Sequence, residues 1–215
     1  MTKYIIGGVI AALIIIGGGY YLLTIHPAQP SMAATSTVTV TQEVVNTYAT
    51  STYSITYPLG YTIDTSYQYT QVNPKKPISG VKFTIPGDMA TGTNLAADSY
   101  ISIESLPHAK NCTGDIYLAA DVHPVEQSTA STTYSVATST GAGAGNRYEE
   151  SVYALSGSSP CTAVRYFIHY GAFENYPAAG ESGAVREFDR TALLTAFDKI
   201  RDSLVLSPAT ATTTP

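Results

Sequence analysis

The chain has 215 residues, with 11 Lys and Arg against 16 Asp and Glu, and a formal net charge of −5. That length holds one ordinary domain with segments to spare. A negative surface with no basic run longer than Lys75-Lys76 repels polyphosphate backbones, which argues against nucleic acid as a partner.

Residues 1–26 read as an N-terminal transmembrane anchor. Tyr4 to Ile25 carries no charged side chain and is mostly Ile, Leu, Gly, Ala and Val. About 20 such residues at 1.5 Å each cover a hydrocarbon core of about 30 Å, so membrane lipid is the expected partner of residues 4–25. Lys3 precedes the segment and no Lys or Arg follows until Lys75. This bias places the N-terminus in the cytoplasm and the rest of a single-pass chain outside. Tyr4, Tyr20 and Tyr21 suit the two interfaces. The alternative is a signal peptide cleaved near Ser31-Met32-Ala33 and a secreted product; both readings deliver the domain to the same side.

Residues 27–50 form a Thr-, Ser-, Ala- and Pro-rich tether, within which Thr37 to Thr41 alternates as a strand would. Residues 51–206 are the extracytoplasmic domain, and residues 207–215, only Ser, Pro, Ala and Thr, read as a disordered tail. Within the domain the period is mostly 2. Tyr53–Tyr57 alternates and stops at Pro58; Val81–Ile85 and Tyr100–Leu106 do the same before Pro86 and Pro107. Thr133–Thr138 and Arg147–Leu155 flank the glycine-rich Gly141–Asn146, which suits a hairpin. Cys161–Tyr170 is the strongest strand, with Thr162, Val164, Tyr166, Ile168 and Tyr170 on one face and Cys161, Ala163, Arg165, Phe167 and His169 on the other. These alternations fit an antiparallel sheet with one face covered. Its cover is a C-terminal helix: Leu193, Leu194, Phe197, Ile200 and Leu204 share a stripe, Asp189 is the N-cap and Phe188 a staple. A shorter helix from Asp115 to Ala120, capped by Thr113, is also expected. The fold class is therefore α+β.

Cys112 and Cys161 are the only cysteines. In an oxidising compartment such a pair most often forms one disulfide, the alternative being two buried free thiols, and its wide spacing excludes a thioredoxin-like redox role.

The run Tyr53-Ser54-Ile55-Thr56-Tyr57-Pro58 followed by Gly60-Tyr61 resembles the opening strand of PsbP-like domains, where an aromatic–x–aliphatic–x–aromatic–Pro strand precedes Gly-Trp. Here Tyr61 stands at the tryptophan position. The order of elements afterwards is similar as well. The resemblance implies an α+β sandwich and an extrinsic binding or assembly role, and it assigns no ligand residue.

Few residues invite chemistry. His108, His123 and His169 with Asp121 lack metal-ligand spacing, so no metal and no cofactor is expected. The glycine run lacks the Lys-Ser/Thr of a phosphate loop, and no Gly-x-Ser-x-Gly elbow occurs. Glu149 and Glu150 are adjacent, hence on opposite faces of a strand. Asn111-Cys112-Thr113 matches a glycosylation acceptor. Arg165 and His169 share a strand face, either as an anion site or as a surface charge row. The chain holds 17 Tyr, 5 Phe and no Trp. Tyrosine serves recognition surfaces, so Tyr170, Phe173 and Tyr176, in and before the irregular stretch 174–183, join Arg165 and His169 as candidate binding residues. Three functions fit: a non-enzymatic binding domain for an envelope protein or a small ligand; an envelope enzyme using His169, Arg165 and a carboxylate such as Asp189 or Glu187; and a passive subunit of a surface complex.

Overall fold

The computed structural model describes residues 44–129 and 131–207. The anchor, most of the tether and nearly all of the tail lie outside them, as does the Thr37–Thr41 alternation. Among the described residues no helix is long and apolar enough to cross a membrane.

Strands dominate, all of them antiparallel. β1 (Val45–Ala49), β2 (Tyr53–Pro58) and β11 (Val205–Leu206) make a three-stranded sheet with β2 at its centre. β1 falls inside the range read as tether, so the folded part starts ahead of residue 51. β3 (Thr62–Asp64), β4 (Gln68–Tyr69), β5 (Ile78–Thr84), β6 (Tyr100–Leu106), β7 (Val125–Ser128), β8 (Thr133–Gly143), β9 (Asn146–Leu155) and β10 (Cys161–Gly171) make an eight-stranded sheet. Its order is β3-β5-β6-β10-β9-β8-β7, with β4 also on β5. The helices are one turn, α1 (Gly87–Ala90), and α2 (Arg190–Asp202).

The expected strands are present, most of them longer than their alternation. The hairpin shows why. β8 and β9 run into the glycine-rich stretch and leave only Ala144 and Gly145 as the turn, with φ of 50° and 81°. Two positive φ values in a two-residue loop match the right-handed strand twist. Alanine in that conformation costs roughly 1–2 kcal/mol. Ala144→Gly is therefore expected to raise stability by about 1 kcal/mol, read as a higher urea midpoint at unchanged slope.

One face of the large sheet packs on β2 and α2. Tyr53, Ile55 and Tyr57 of β2 and Leu193, Phe197 and Ile200 of α2 meet Val81, Phe83, Ile101, Ile103, Val164, Tyr166 and Ile168 in one apolar core. Asp189 caps α2 by accepting from the Ala192 N–H at 2.9 Å, and buried Phe188 joins the same core as Leu193. Arg201, near the C-terminal end of the helix, is buried over the rings of Tyr153, Tyr134 and Tyr166 at 4.6, 5.6 and 5.9 Å. Asp198 and Asp202 each bond its guanidinium at 2.8 Å.

The other face corrects the expectation of a half-covered sheet. It is roofed by the segment between β6 and β7, which buries Tyr117 and Leu118 against Tyr67, Tyr69, Ile78, Tyr100, Val152, Ala154 and Ala163. The expected short helix is there as a 3-10 turn, Gly114–Tyr117. Gly114 lies so close to the sheet that a Cβ would stand 2.7 Å from the Ala137 nitrogen and 2.8 Å from the Ser135 oxygen. The Cys112–Cys161 disulfide is formed and ties this roof to the first residue of β10.

Candidate functional site

Arg165 stands in the middle of β10 on the roofed face. Pairing places Ser102 of β6 and Val152 of β9 directly opposite it, so that Glu104 and Glu150 become its diagonal neighbours. Diagonal positions are within reach of long side chains. Arg165 Nε and Nη2 donate to Glu104 Oε1 and Oε2 at 2.7 and 2.9 Å, a bidentate fork. Nη1 donates to Glu150 Oε2 at 2.9 Å, and Nη2 also reaches the Tyr117 carbonyl at 2.6 Å. The Tyr69 ring stacks on the guanidinium, 3.6 Å from Cζ. Ser102 and Tyr67 hydroxyls donate to Glu104 Oε1, and Tyr69 donates to both oxygens of Glu150.

Arg165 and Glu104 are both 0% exposed, so Arg165 is neither an open anion site nor part of a surface charge row. Desolvation works against the guanidinium charge, but the charge and hydrogen bonds of Glu104 outweigh it and hold Arg165 firmly protonated. Burial likewise pushes the Tyr67 and Tyr100 hydroxyls far above the usual phenol range. The cluster is a closed internal network.

His169 lies further along the same face. Its Nδ1 is 2.7 Å from Asp98 Oδ1, its ring stacks on Tyr148 with centroids 4.6 Å apart, and its Nε2 is buried without a hydrogen-bond partner among the described residues. Neither carboxylate expected beside it is there. Asp189 caps α2 in the layer over the opposite face, where Glu187 also precedes the helix.

Tyr170 projects from the α2 side of β10, meets the Phe188 ring at a tilt and donates to Glu149 Oε1 at 2.7 Å. Arg190 forks onto the same carboxylate. Burial tends to raise the Glu149 pKa, but the bonds from Arg190 and Tyr170 prevail and lower it. Glu149 and Glu150 thus serve opposite faces, as their adjacency requires. Tyr176 packs over Gly171, its hydroxyl occupying the place of a Cβ, and Phe173 stands exposed in the 3-10 turn Phe173–Asn175. The five candidate binding residues are therefore distributed over both faces and a connecting turn, and they form no single site. His108 and His123 are exposed, and no group of three or more metal-ligating residues occurs among the described residues.

A concave surface does occur in the roof. Leu106, Pro107, Ala109 and Ile116 wall a solvent-open recess of about 550 Å³, with Lys110 and Asp115 at its polar side. Asp115 Oδ1 is buried there without a hydrogen-bond partner among the described residues. The nearby disulfide and the close seat of Gly114 fix this segment on the sheet. In the sequence this segment is marked by Cys112 and by the short helix expected from Asp115 to Ala120, but its apolar residues have no period that would show a recess.

No family model matches the chain, and no curated protein does. A solved structure from Bacteroides thetaiotaomicron matches at 8% identity and a TM-score of 0.39, over 73% of this chain and 46% of its own. The chain thus spans less than half the length of that protein, and a likeness of this degree carries no argument about fold or function.

Proposed function

We propose that the chain is a membrane-tethered, extracytoplasmic domain that binds a small apolar ligand bearing a hydrogen-bond donor, and does not turn it over. The observation that carries this reading is the contrast between two regions. Arg165 is engaged inside the sheet by Glu104 and Glu150, while the roof holds an open, mainly apolar recess lined on its polar side by Asp115 and Lys110. Ligand sites have that character: apolar walls, a few placed polar groups, and a shape formed in advance. The Asp115 carboxylate at the lining supplies an acceptor for a donor on the ligand. The uncharged Tyr4–Ile25 stretch and the disulfide support the compartment. The resemblance of Tyr53–Pro58 to the opening strand of PsbP-like domains supports a binding role over a catalytic one.

Indole is a suitable probe, since it pairs an apolar ring with one N–H. It should raise the melting temperature of the wild-type domain in proportion to the logarithm of its concentration. Benzothiophene, the same shape without the donor, should do so less. Ala109→Trp, which fills the recess, should abolish both shifts. Equal shifts in wild type and Ala109→Trp would refute the assignment.

A further inference from the structure

Four of the five outer strands carry some protection against edge-to-edge pairing. β7 contains Glu126, β3 ends in Asp64, and β4 and β11 are two residues each. Short length and charge are the ordinary means of blunting an edge. β1 has neither: Val45-Asn-Thr-Tyr-Ala49 is five residues without charge, proline or glycine, and Val44 and Val45 are 66% and 48% exposed.

The hydrogen bonds of β2 show which groups β1 offers. The Thr56 N–H donates to Ser203 Oγ at 2.9 Å and the Thr56 carbonyl accepts from it at 3.0 Å, so both face the β11 edge. The Thr52 carbonyl accepts from Ser207 on that same edge, whereas the Tyr53 carbonyl accepts from Thr50 on the other. Thr47 pairs with Thr56, so the Thr47 N–H and C=O point away from β2. With a period of 2, those of Val45 and Ala49 do as well. Three evenly spaced residues therefore present donors and acceptors that no other described residue pairs with.

We propose that this edge pairs with the same edge of a second copy, antiparallel about a two-fold axis at Thr47. Self-complementarity identifies the occupant. In that register Thr47 faces Thr47 of the second copy, Val45 faces Ala49, and Asn46 faces Tyr48. The pairs are compatible, hydroxyl with hydroxyl, apolar with apolar and amide with phenol, and no like charges meet. The product is one continuous sheet of six strands.

The test uses the full chain in mild detergent. Wild type should sediment as a dimer. Thr47→Pro removes an outward N–H without touching the β1–β2 ladder, and should give a folded monomer. Thr47→Cys keeps the backbone intact. It places two thiols where Cα atoms of a hydrogen-bonded pair lie about 5.5 Å apart, within the roughly 4.4–6.8 Å of a disulfide. Oxidation should convert this variant to a reducible covalent dimer, while Thr129→Cys on an exposed turn should stay monomeric on the gel. A monomeric wild type, a folded Thr47→Pro that remains dimeric, or a Thr47→Cys that fails to cross-link would each overturn the pairing. A monomer with slow amide exchange at Thr47 would mean that the chain's own N-terminal residues, or another protein, occupy the edge instead. Should Thr47→Pro not fold, the Thr47→Cys result decides.

Discussion

Replacing Arg165 with methionine should cost about 3–5 kcal/mol of folding stability, the range for leaving a buried ion without its partner. The physical reason is the position of Glu104, which is fully buried and has the Arg165 fork as the cation on both of its oxygens. Methionine fills much of the volume, so the loss is chiefly electrostatic. The tail of Glu150, the Tyr117 carbonyl and the Tyr69 ring lose their common partner at the same time. Glu104→Gln in the Arg165→Met background should recover part of the loss, so the double variant is more stable than the sum of the single changes predicts. Urea midpoints of the four proteins measure this. Additive losses would mean that the two side chains act independently and that the fork does not form.

Removing the Cys112–Cys161 bridge is the second large effect. The cysteines are 49 residues apart. A loop near that size is worth roughly 4 kcal/mol in the chain-entropy model. The loss should be uneven. Cys112 holds the roof onto β10, so Cys112→Ala/Cys161→Ala should release the amides of residues 107–122 to exchange well before those of β6, β9 and β10. The recess belongs to this same segment, so indole binding should weaken in parallel. Added reductant should reproduce the destabilisation in wild type and do nothing further to the variant. Uniform exchange across the domain would show instead that the roof is held by apolar packing alone.

The α2-side core was legible in the sequence because its signals are periodic. Alternation in Tyr53–Tyr57, Tyr100–Leu106 and Cys161–Tyr170 gave the strands, and the Leu193–Phe197–Ile200 stripe behind Asp189 gave the helix that covers them. The second face was not legible. Burial there comes from Gly114–Leu118, an aperiodic segment whose role depends on the bridge and on the close approach of Gly114 to β8. Once that roof exists, Arg165 and Phe167 become interior residues and a row that reads as polar becomes core. The ionic partners were hidden for a related reason. Glu104 and Glu150 are each two residues along neighbouring strands from the positions opposite Arg165, and only the register shows that they converge. The same holds for Arg201, whose tyrosines come from β8, β9 and β10. Tyr170 and Glu149 meet across β9 and β10 on the opposite face, which separates them from His169 although Tyr170 is its sequence neighbour. The short edge strands escaped notice because two or three residues carry no period.

The abundance of tyrosine acquires a physical explanation from these clusters. Tyr67, Tyr69 and Tyr100 surround Arg165 and its carboxylates, and Tyr134, Tyr153 and Tyr166 surround Arg201. Each ring fills apolar volume and stacks on or beside a cation, while several of the hydroxyls satisfy a carboxylate, a combination that phenylalanine cannot offer. Most tyrosines of the domain are therefore structural, and the surface left for recognition is smaller than the composition suggests.

The separation of an internal charge network from an open apolar recess is most directly tested by mapping amide chemical shifts of residues 44–207 in the full chain during an indole titration. Saturable shifts are expected to centre on Leu106–Ile116, with Asp98, Tyr148, Arg165 and His169 unmoved. Shifts centred on His169 and Asp98, with the recess silent, would contradict it.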